Sequence, residues 1–559
     1  MANLAPLLIR RLDEMWRTPK DASATAVVVP FGPTQAPQTK TLRLTYQQLS
    51  SLVRELANIL HTRYGINRGD TVSTYYHNGL PIVLSFLSIT SLGAIIAPLN
   101  PAYKSDALSF YFDDTKPKLF LVPTASTDLV DHHAIPTAVK NKVTIVRFDV
   151  DLNNGRLILM DQHQNVLPCI TKSAILPIAN PDDVALILHT SGTTGKPKGV
   201  PLRHRNLCRS ISNIVAHYEL TPDDTTLVVM PLFHVHGLIG CLLSTLTSGG
   251  TAVIPPHKFS ASKFWKTMVF CNCSWYSAVP SIHQILRKNY QNDYLPVINA
   301  LPDDMRHYYL HKRWRFVRSC SAALPGAVLQ KLEATFANKP WLEAYAMTEA
   351  SHQMCANPLP KHGVHKPGSV GKPTGIQVKI LDDDNNELSV GEIGEISICG
   401  PNVTSGYLNR PDANKQCFVR VADDIFFRTG DQGKFDQDGY LYLTGRLKEM
   451  INRGGEKIAP LEIDEVILSH PNVNVAVAFG APHDVLGETV NCAVVLNDSK
   501  CDVQTVKREI LELCAKKLAK YKVPEAIFIS DDVPRTATGK IQRRIVAAHF
   551  LKKPTSSKL

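Results

Sequence analysis

The apolar run Val184-Ala185-Leu186-Ile187-Leu188 leads directly into His189-Thr190-Ser191-Gly192-Thr193-Thr194-Gly195-Lys196-Pro197-Lys198-Gly199-Val200. Leu207, Ile211, Ile214, Val215 and Tyr218 then recur at helical spacing. The expectation is therefore a buried strand, a glycine-rich loop and an amphipathic helix. Glycines let backbone amides approach a ligand closely, Thr190, Ser191, Thr193 and Thr194 add hydroxyl donors, and Lys196 and Lys198 add charge. That chemistry suits a polyphosphate, and ATP is the expected occupant. A Walker loop, G-x-x-x-x-G-K-[ST], is excluded because Pro197 follows Lys196 and only two residues separate Gly192 from Gly195.

Around this stretch, strand-like runs alternate with helical ones: Thr71 to Tyr76, Leu119 to Pro123, Val143 to Val150, Leu227 to Met230 and Ala252 to Pro255. Alternation of this kind predicts parallel sheets covered by helices. Leu49, Leu52, Val53, Leu56, Ile59 and Leu60 form one face of a helix over Thr45 to Leu60. From Val378 to Cys399 the pattern becomes short strands around the polar turn Asp382–Asn386, which predicts a small antiparallel unit. A last block has a helix near Leu461 to Ser469, strands at Val473 to Phe479 and Val490 to Leu496, and a helix capped by Asp502. The fold class expected is α/β: a large N-terminal domain of two helix-covered sheets plus a small β unit, then a small α+β domain.

A chain of 559 residues that is 44% hydrophobic can bury more than one core. Gly79 to Leu99 is apolar, but Pro81, Ser85, Ser88, Gly93 and Pro98 make it a core helix followed by a strand rather than a membrane span. The net charge of +11 raises the question of nucleic acid, yet the basic residues are spread along the chain without an arginine-rich block. ATP is itself a polyanion, which is the plainer account of a basic chain. The 12 cysteines show no C-x-x-C pair or metal-ligand spacing with histidine, so a reducing compartment is expected. Ser557-Lys558-Leu559 matches the tripeptide that a peroxisomal import receptor reads, so the peroxisome, with the cytosol as second choice, is the expected location.

The stretch from Thr190 to Gly199 resembles the signature T-S-G-T-T-G-x-P-K-G of the adenylate-forming enzymes, which include the acyl-CoA synthetases. Further family motifs come in order: Tyr345-Ala346-Met347-Thr348-Glu349 is similar to Y-x-x-T-E, Arg428-Thr429-Gly430-Asp431 to R-T-G-D, Gly445-Arg446-Leu447-Lys448 to G-R-x-K/D, and Pro534 to Lys540 to P-[RK]-T-x-[ST]-G-K. The resemblance implies two domains, 1–446 and 447–559, with the active site between them and a hinge at Lys448. It implies that Thr348 donates to the α-phosphate, that Glu349 holds Mg²⁺, and that Asp431 accepts from the ribose hydroxyls with Arg446 beside it. Ser321 and Ala322 would edge the adenine pocket near Tyr345. Lys540 would bridge the attacking carboxylate and the α-phosphate, and Gly454 and Gly455 would line the passage for coenzyme A, where a side chain would obstruct it.

For the acid, Phe233-His234-Val235-His236-Gly237, Ser319-Cys320-Ser321 and Thr348-Glu349-Ala350-Ser351-His352 put hydrogen-bonding groups where a hydrocarbon-binding relative needs apolar ones. They suit a second carboxylate, which is costly to desolvate unless hydrogen-bonded. These segments are similar to the oxalate-CoA ligase branch of the family. By that resemblance His234, His236, Ser321 and His352 contact oxalate. A ligase for a short- or medium-chain fatty acid, malonate or an aromatic acid is the alternative.

Overall fold

The computed structural model describes residues 23–31, 40–169, 174–190, 197–256, 259–336, 339–497, 501–536 and 539–551. Ser191, Gly192, Thr193, Thr194, Gly195 and Lys196 of the phosphate loop, and Ser557-Lys558-Leu559, lie outside the described residues.

Four sheets organise these residues. An eight-stranded sheet carries Val184–Thr190, with Ile95–Pro98, Thr71–Thr74 and Leu119–Val122 running parallel beyond it. A nine-stranded sheet carries three consecutive parallel strands, Trp275–Ala278, Phe316–Cys320 and Trp341–Met347. Both are buried on both faces, which is why their strands read as apolar runs rather than as alternation. Strands Gln377–Leu381, Gly394–Cys399, Phe418–Val421, Asp424–Phe435 and Leu441–Arg446 build the antiparallel unit, and a last five-stranded sheet comes after the short turn Leu447–Glu449.

Local rules hold well inside elements. The Tyr46–Tyr64 helix starts at a capping box in which the Thr45 side chain accepts from the Gln48 backbone and Gln48 bonds back, and it ends on Gly65 in the left-handed region. Asp502 caps Val503–Lys517 by accepting from the Gln504 and Thr505 backbone amides. Leu80–Ser91 is a buried helix followed by the strand Ile95–Pro98, and among the described residues no helix is long and apolar enough to cross a membrane.

Edges depart from expectation. The phosphate loop does not pass straight into the helix His204–Tyr218: Lys198–Arg203 is an added strand, antiparallel to Val184–Thr190, with Lys198 opposite Thr190. The added strand is legible only in three dimensions, because Lys198-Gly199-Val200-Pro201 carries loop-forming residues and Pro201 is tolerated there on a strand at the sheet edge. Thr25–Phe31 and Lys40–Thr45, which carry no motif, pair antiparallel at the far edge of the large sheet.

Candidate active site

Ala278, Cys320 and Met347 end the three parallel strands, and the turns beyond these residues form the site, at the carboxyl ends where open α/β sheets bind ligands. After Cys320 the chain turns at Ser321, whose φ is 71°. After Met347, Thr348–Ala350 make one 3-10 turn, and Ser351 and His352 have φ of 52° and 109° before the chain returns as His352–Ala356. Non-glycine residues in this region cost about 1–3 kcal/mol each, and such strain collects at functional sites.

One side of the site is built on two carboxylates and suits a nucleotide. Asp431 Oδ2 accepts from the Tyr345 hydroxyl at 2.6 Å, and Oδ1 accepts from Arg446 Nε at 2.6 Å. The register of the Asp424–Phe435 and Leu441–Arg446 strands sets Asp431 opposite Arg446. Glu349 is buried, and its Oε1 accepts from the Tyr407 hydroxyl at 2.7 Å while Lys198 Nζ stands 4.6 Å from the centre of the Tyr407 ring. Burial raises the Glu349 pKa, so the site favours a cation that would restore its charged form. Thr190 and Thr348 are half-buried, and Ala322 is exposed at the edge of the same region.

Lys540 enters from the C-terminal block. Its loop is closed by Thr536 N donating to Lys540 O at 2.8 Å and is held to the large domain by Ser281 Oγ, which donates to Gly539 O at 3.0 Å. Burial, then the Arg446 cation, lowers the Lys540 pKa, while Asp431 opposes that shift. His234 is held down to about 4 by burial and then by Lys540. The motif residues Arg446, Asp431, His234 and Lys540 thus form one electrostatic cluster although the chain separates them widely.

The other side is a chain of hydrogen bonds through His236. Its Nδ1 is 3.0 Å from Ser321 Oγ and its Nε2 is 2.7 Å from Ser277 Oγ. The His352 ring stacks on it, 5.3 Å between centres and 28° between planes. His352 is fully buried, and both of its ring nitrogens lack a hydrogen-bond partner among the described residues. Burial, then the Arg318 cation, drives both imidazoles well below the ordinary histidine value, so both are neutral. The three histidines thereby sort by role: His236 and His352 pack together, and His234 stands toward Lys540.

Three participants escaped sequence reasoning. Ser277 and Tyr407 belong to no motif; Arg318 opens the Arg318-Ser319-Cys320-Ser321-Ala322 segment similar to the oxalate-CoA ligase branch but has no role assigned there, and the available signal was its charge inside the otherwise strand-like Phe316-Val317-Arg318-Ser319-Cys320. Gly454 and Gly455 stand apart from this cluster. They are the two central residues of a hairpin, exposed, with φ of 61° and 96°, and a Cβ on Gly455 would meet nothing within 4 Å. The positive φ of both residues suits a type I′ turn, which favours glycine at both central positions independently of any passage for coenzyme A. Lys448 lies exposed on the Leu447–Glu449 turn.

Gly240 offers a test of the histidine cluster. A Cβ there would sit 2.2 Å from His352 Nε2 and 3.0 Å from Arg318 Nη1. Neither neighbour can withdraw, because both are fully buried. Gly240→Ala is expected to cost about 1–3 kcal/mol of stability from overpacking. It should also raise the KM of the acid about tenfold while leaving the KM of ATP within twofold, as steady-state kinetics on both substrates would read.

Residues 17–408 match the family of AMP-binding enzymes, and residues 462–540 match the AMP-binding enzyme C-terminal domain. The chain belongs to this family and is an AMP-forming acyl-CoA ligase. It is 44% identical over 513 residues to the oxalate-CoA ligase of Arabidopsis thaliana, covering 91% of this chain and 94% of that one. To the oxalate-CoA ligase of Saccharomyces cerevisiae it is also 44% identical, over 546 residues, covering 94% and 95%. The crystal structure of ATP-bound MatB from Rhodopseudomonas palustris superposes with a TM-score of 0.81 at 27% identity, covering 98% of this chain and 99% of that one.

Proposed function

We infer that the acid activated here is oxalate, converted to oxalyl-CoA through oxalyl-AMP. The observation that carries this reading is His352: two ring nitrogens at zero exposure with no partner among the described residues, stacked on a histidine that bonds Ser321. A hydrocarbon tail would leave those nitrogens buried and unsatisfied, at about 1–3 kcal/mol per group. A second carboxylate would accept from the protonated one of them and from Ser321, which recovers its own desolvation cost. The similarity to the two oxalate-CoA ligases supports the same substrate.

In the first half-reaction one oxalate carboxylate attacks the α-phosphorus of ATP and the bond to pyrophosphate breaks. Lys540, beside Asp431 and Arg446, would neutralise the charge on the attacking and α-phosphate oxygens, with Thr348 donating to the same phosphate. Tyr345 and Arg446 hold the Asp431 carboxylate in place for the ribose hydroxyls. In the second half-reaction the thiolate of coenzyme A adds to the oxalyl carbonyl and AMP leaves. We assign Lys448 as the hinge that exchanges the Lys540 loop for the Gly454-Gly455 turn between the two steps.

Mg²⁺ fits Glu349, a buried carboxylate whose Oε1 accepts from the Tyr407 hydroxyl and which lies beside the proposed phosphate site. Among the described residues no cluster of three or more histidine, cysteine or acidic groups could hold a metal, as suits an ion that takes one or two carboxylates and relies on substrate phosphates. Bound there, the ion would neutralise phosphate charge.

A panel of oxalate, malonate, hexanoate and coumarate with the purified enzyme decides the acid. Oxalate should exceed the others in kcat/KM by at least tenfold. A preference for hexanoate or coumarate would discard the reading.

A further inference from the structure

We propose that Arg318 and Ser277 are positioning residues that set the direction of the hydrogen bonds through His236, so that the Ser321 hydroxyl keeps its hydrogen for the distal carboxylate of the bound acid. The inference rests on the oxalate reading and deepens it.

Arg318 lies in the Phe316–Cys320 strand at zero exposure. Its Nε donates to the Tyr218 hydroxyl at 2.9 Å, Nη2 to Gln353 Oε1 at 2.9 Å and Nη1 to Ser277 Oγ at 3.3 Å. All three acceptors are neutral, and among the described residues the guanidinium forms no ion pair. A buried cation without a counter-ion is costly. Nothing about packing requires it at the centre of a sheet. A dianion arriving at the adjacent His236, Ser321 and His352 would supply the missing negative charge.

Arginine can only donate. Ser277 Oγ therefore accepts from Arg318, and of the two groups its own hydrogen can reach, His236 Nε2 at 2.7 Å and the Cys241 thiol, the bare imidazole nitrogen is the stronger acceptor. The reverse tautomer would aim the Nε2–H dipole of His236 toward the same cation, whereas a lone pair there faces it favourably. The neutral imidazole then carries its hydrogen on Nδ1 and donates to Ser321 Oγ at 3.0 Å. Ser321 has become an acceptor within the protein, and its hydroxyl hydrogen, with only the weakly accepting Cys320 sulfur beside it, is available to the distal carboxylate together with the N–H of His352. The left-handed backbone at Ser321 is the local strain that holds this side chain toward His236.

The tautomer can be read without any substrate. In ¹⁵N-histidine-labelled full-length protein, with the His236 signals assigned by their loss in His236→Asn, Nδ1 should be protonated and Nε2 bare. Protonation at Nε2 overturns the proposal. In steady-state assays Ser277→Ala, which removes one hydroxyl and keeps Arg318, should raise the oxalate KM about tenfold with the ATP KM unchanged, and Ser277→Thr should restore it. An oxalate KM within twofold of wild type in Ser277→Ala also overturns it. Arg318→Met should lower the preference for oxalate over acetate about tenfold or more; an unchanged preference counts against the charge. If the wild-type enzyme does not use oxalate, the oxalate reading fails by itself, and the NMR result still decides the hydrogen-bond direction.

Discussion

Replacing Lys540 by alanine is expected to slow adenylate formation by about 10²–10³ in kcat, the usual loss when one preorganised donor to a developing charge is removed. Thioester formation from preformed oxalyl-AMP should stay within a few-fold of wild type, because in that step the lysine has no charge to neutralise. Pyrophosphate release reports the first step, and thioester formation from synthetic adenylate reports the second. Equal losses in both would remove Lys540 from the chemistry. The same residue sets a pH limit. In the proposed mechanism Lys540 acts as the cation, and burial with the Arg446 charge lowers its pKa from 10.5. In the free enzyme kcat/KM for adenylation should therefore fall as pH rises through that lowered value, and Lys540→Arg should remove this alkaline limb.

The second large effect is a separation of stability from activity at His352. Leucine there removes two buried nitrogens that have no partner among the described residues, so the variant should be more stable, by about 1 kcal/mol if half of the burial cost is recovered, and should unfold at a higher temperature. The positive φ of 109° is retained, and because histidine tolerates positive φ better than leucine, some of that gain is offset by backbone strain. At the same time the oxalate KM should rise about 100-fold with ATP binding intact, since a buried carboxylate would lose a hydrogen-bonding partner. Calorimetry and substrate titration of the same preparation test both halves. A less stable variant with normal oxalate affinity would make His352 an ordinary core residue.

Much of the architecture was legible because the relevant physics is local. The capping of Tyr46–Tyr64 by Thr45 and of Val503–Lys517 by Asp502 depends on residues within one turn. The helix and strand of Leu80–Pro98 come from apolar spacing and from Pro81 and Gly93. The strand Lys198–Arg203 was missed because its pairing partner, Val184–Thr190, overrides a loop-forming composition. Motif residues were readable in the same way, since the chemistry of a Tyr, Thr, Asp or Lys travels with the side chain wherever the fold takes it.

What the sequence by itself determined is the class of protein, an AMP-forming acyl-CoA ligase, and the order of its motifs: a glycine-rich loop, Asp431 in R-T-G-D, Lys540 near the end of the chain, and His234, His236 and His352 proposed for the acid. Tertiary structure alone decided who meets whom. Tyr345 reaches Asp431 across 86 residues, and His236 reaches Ser321 across 85. Arg318 could have been a surface charge on any local criterion. It is buried because its strand runs in the middle of a sheet covered on both faces, and its acceptors are Tyr218, Ser277 and Gln353, from three separate elements. Burial and hydrogen-bond direction are properties of the surroundings, and the surroundings of this arginine are assembled only when the sheet closes around it.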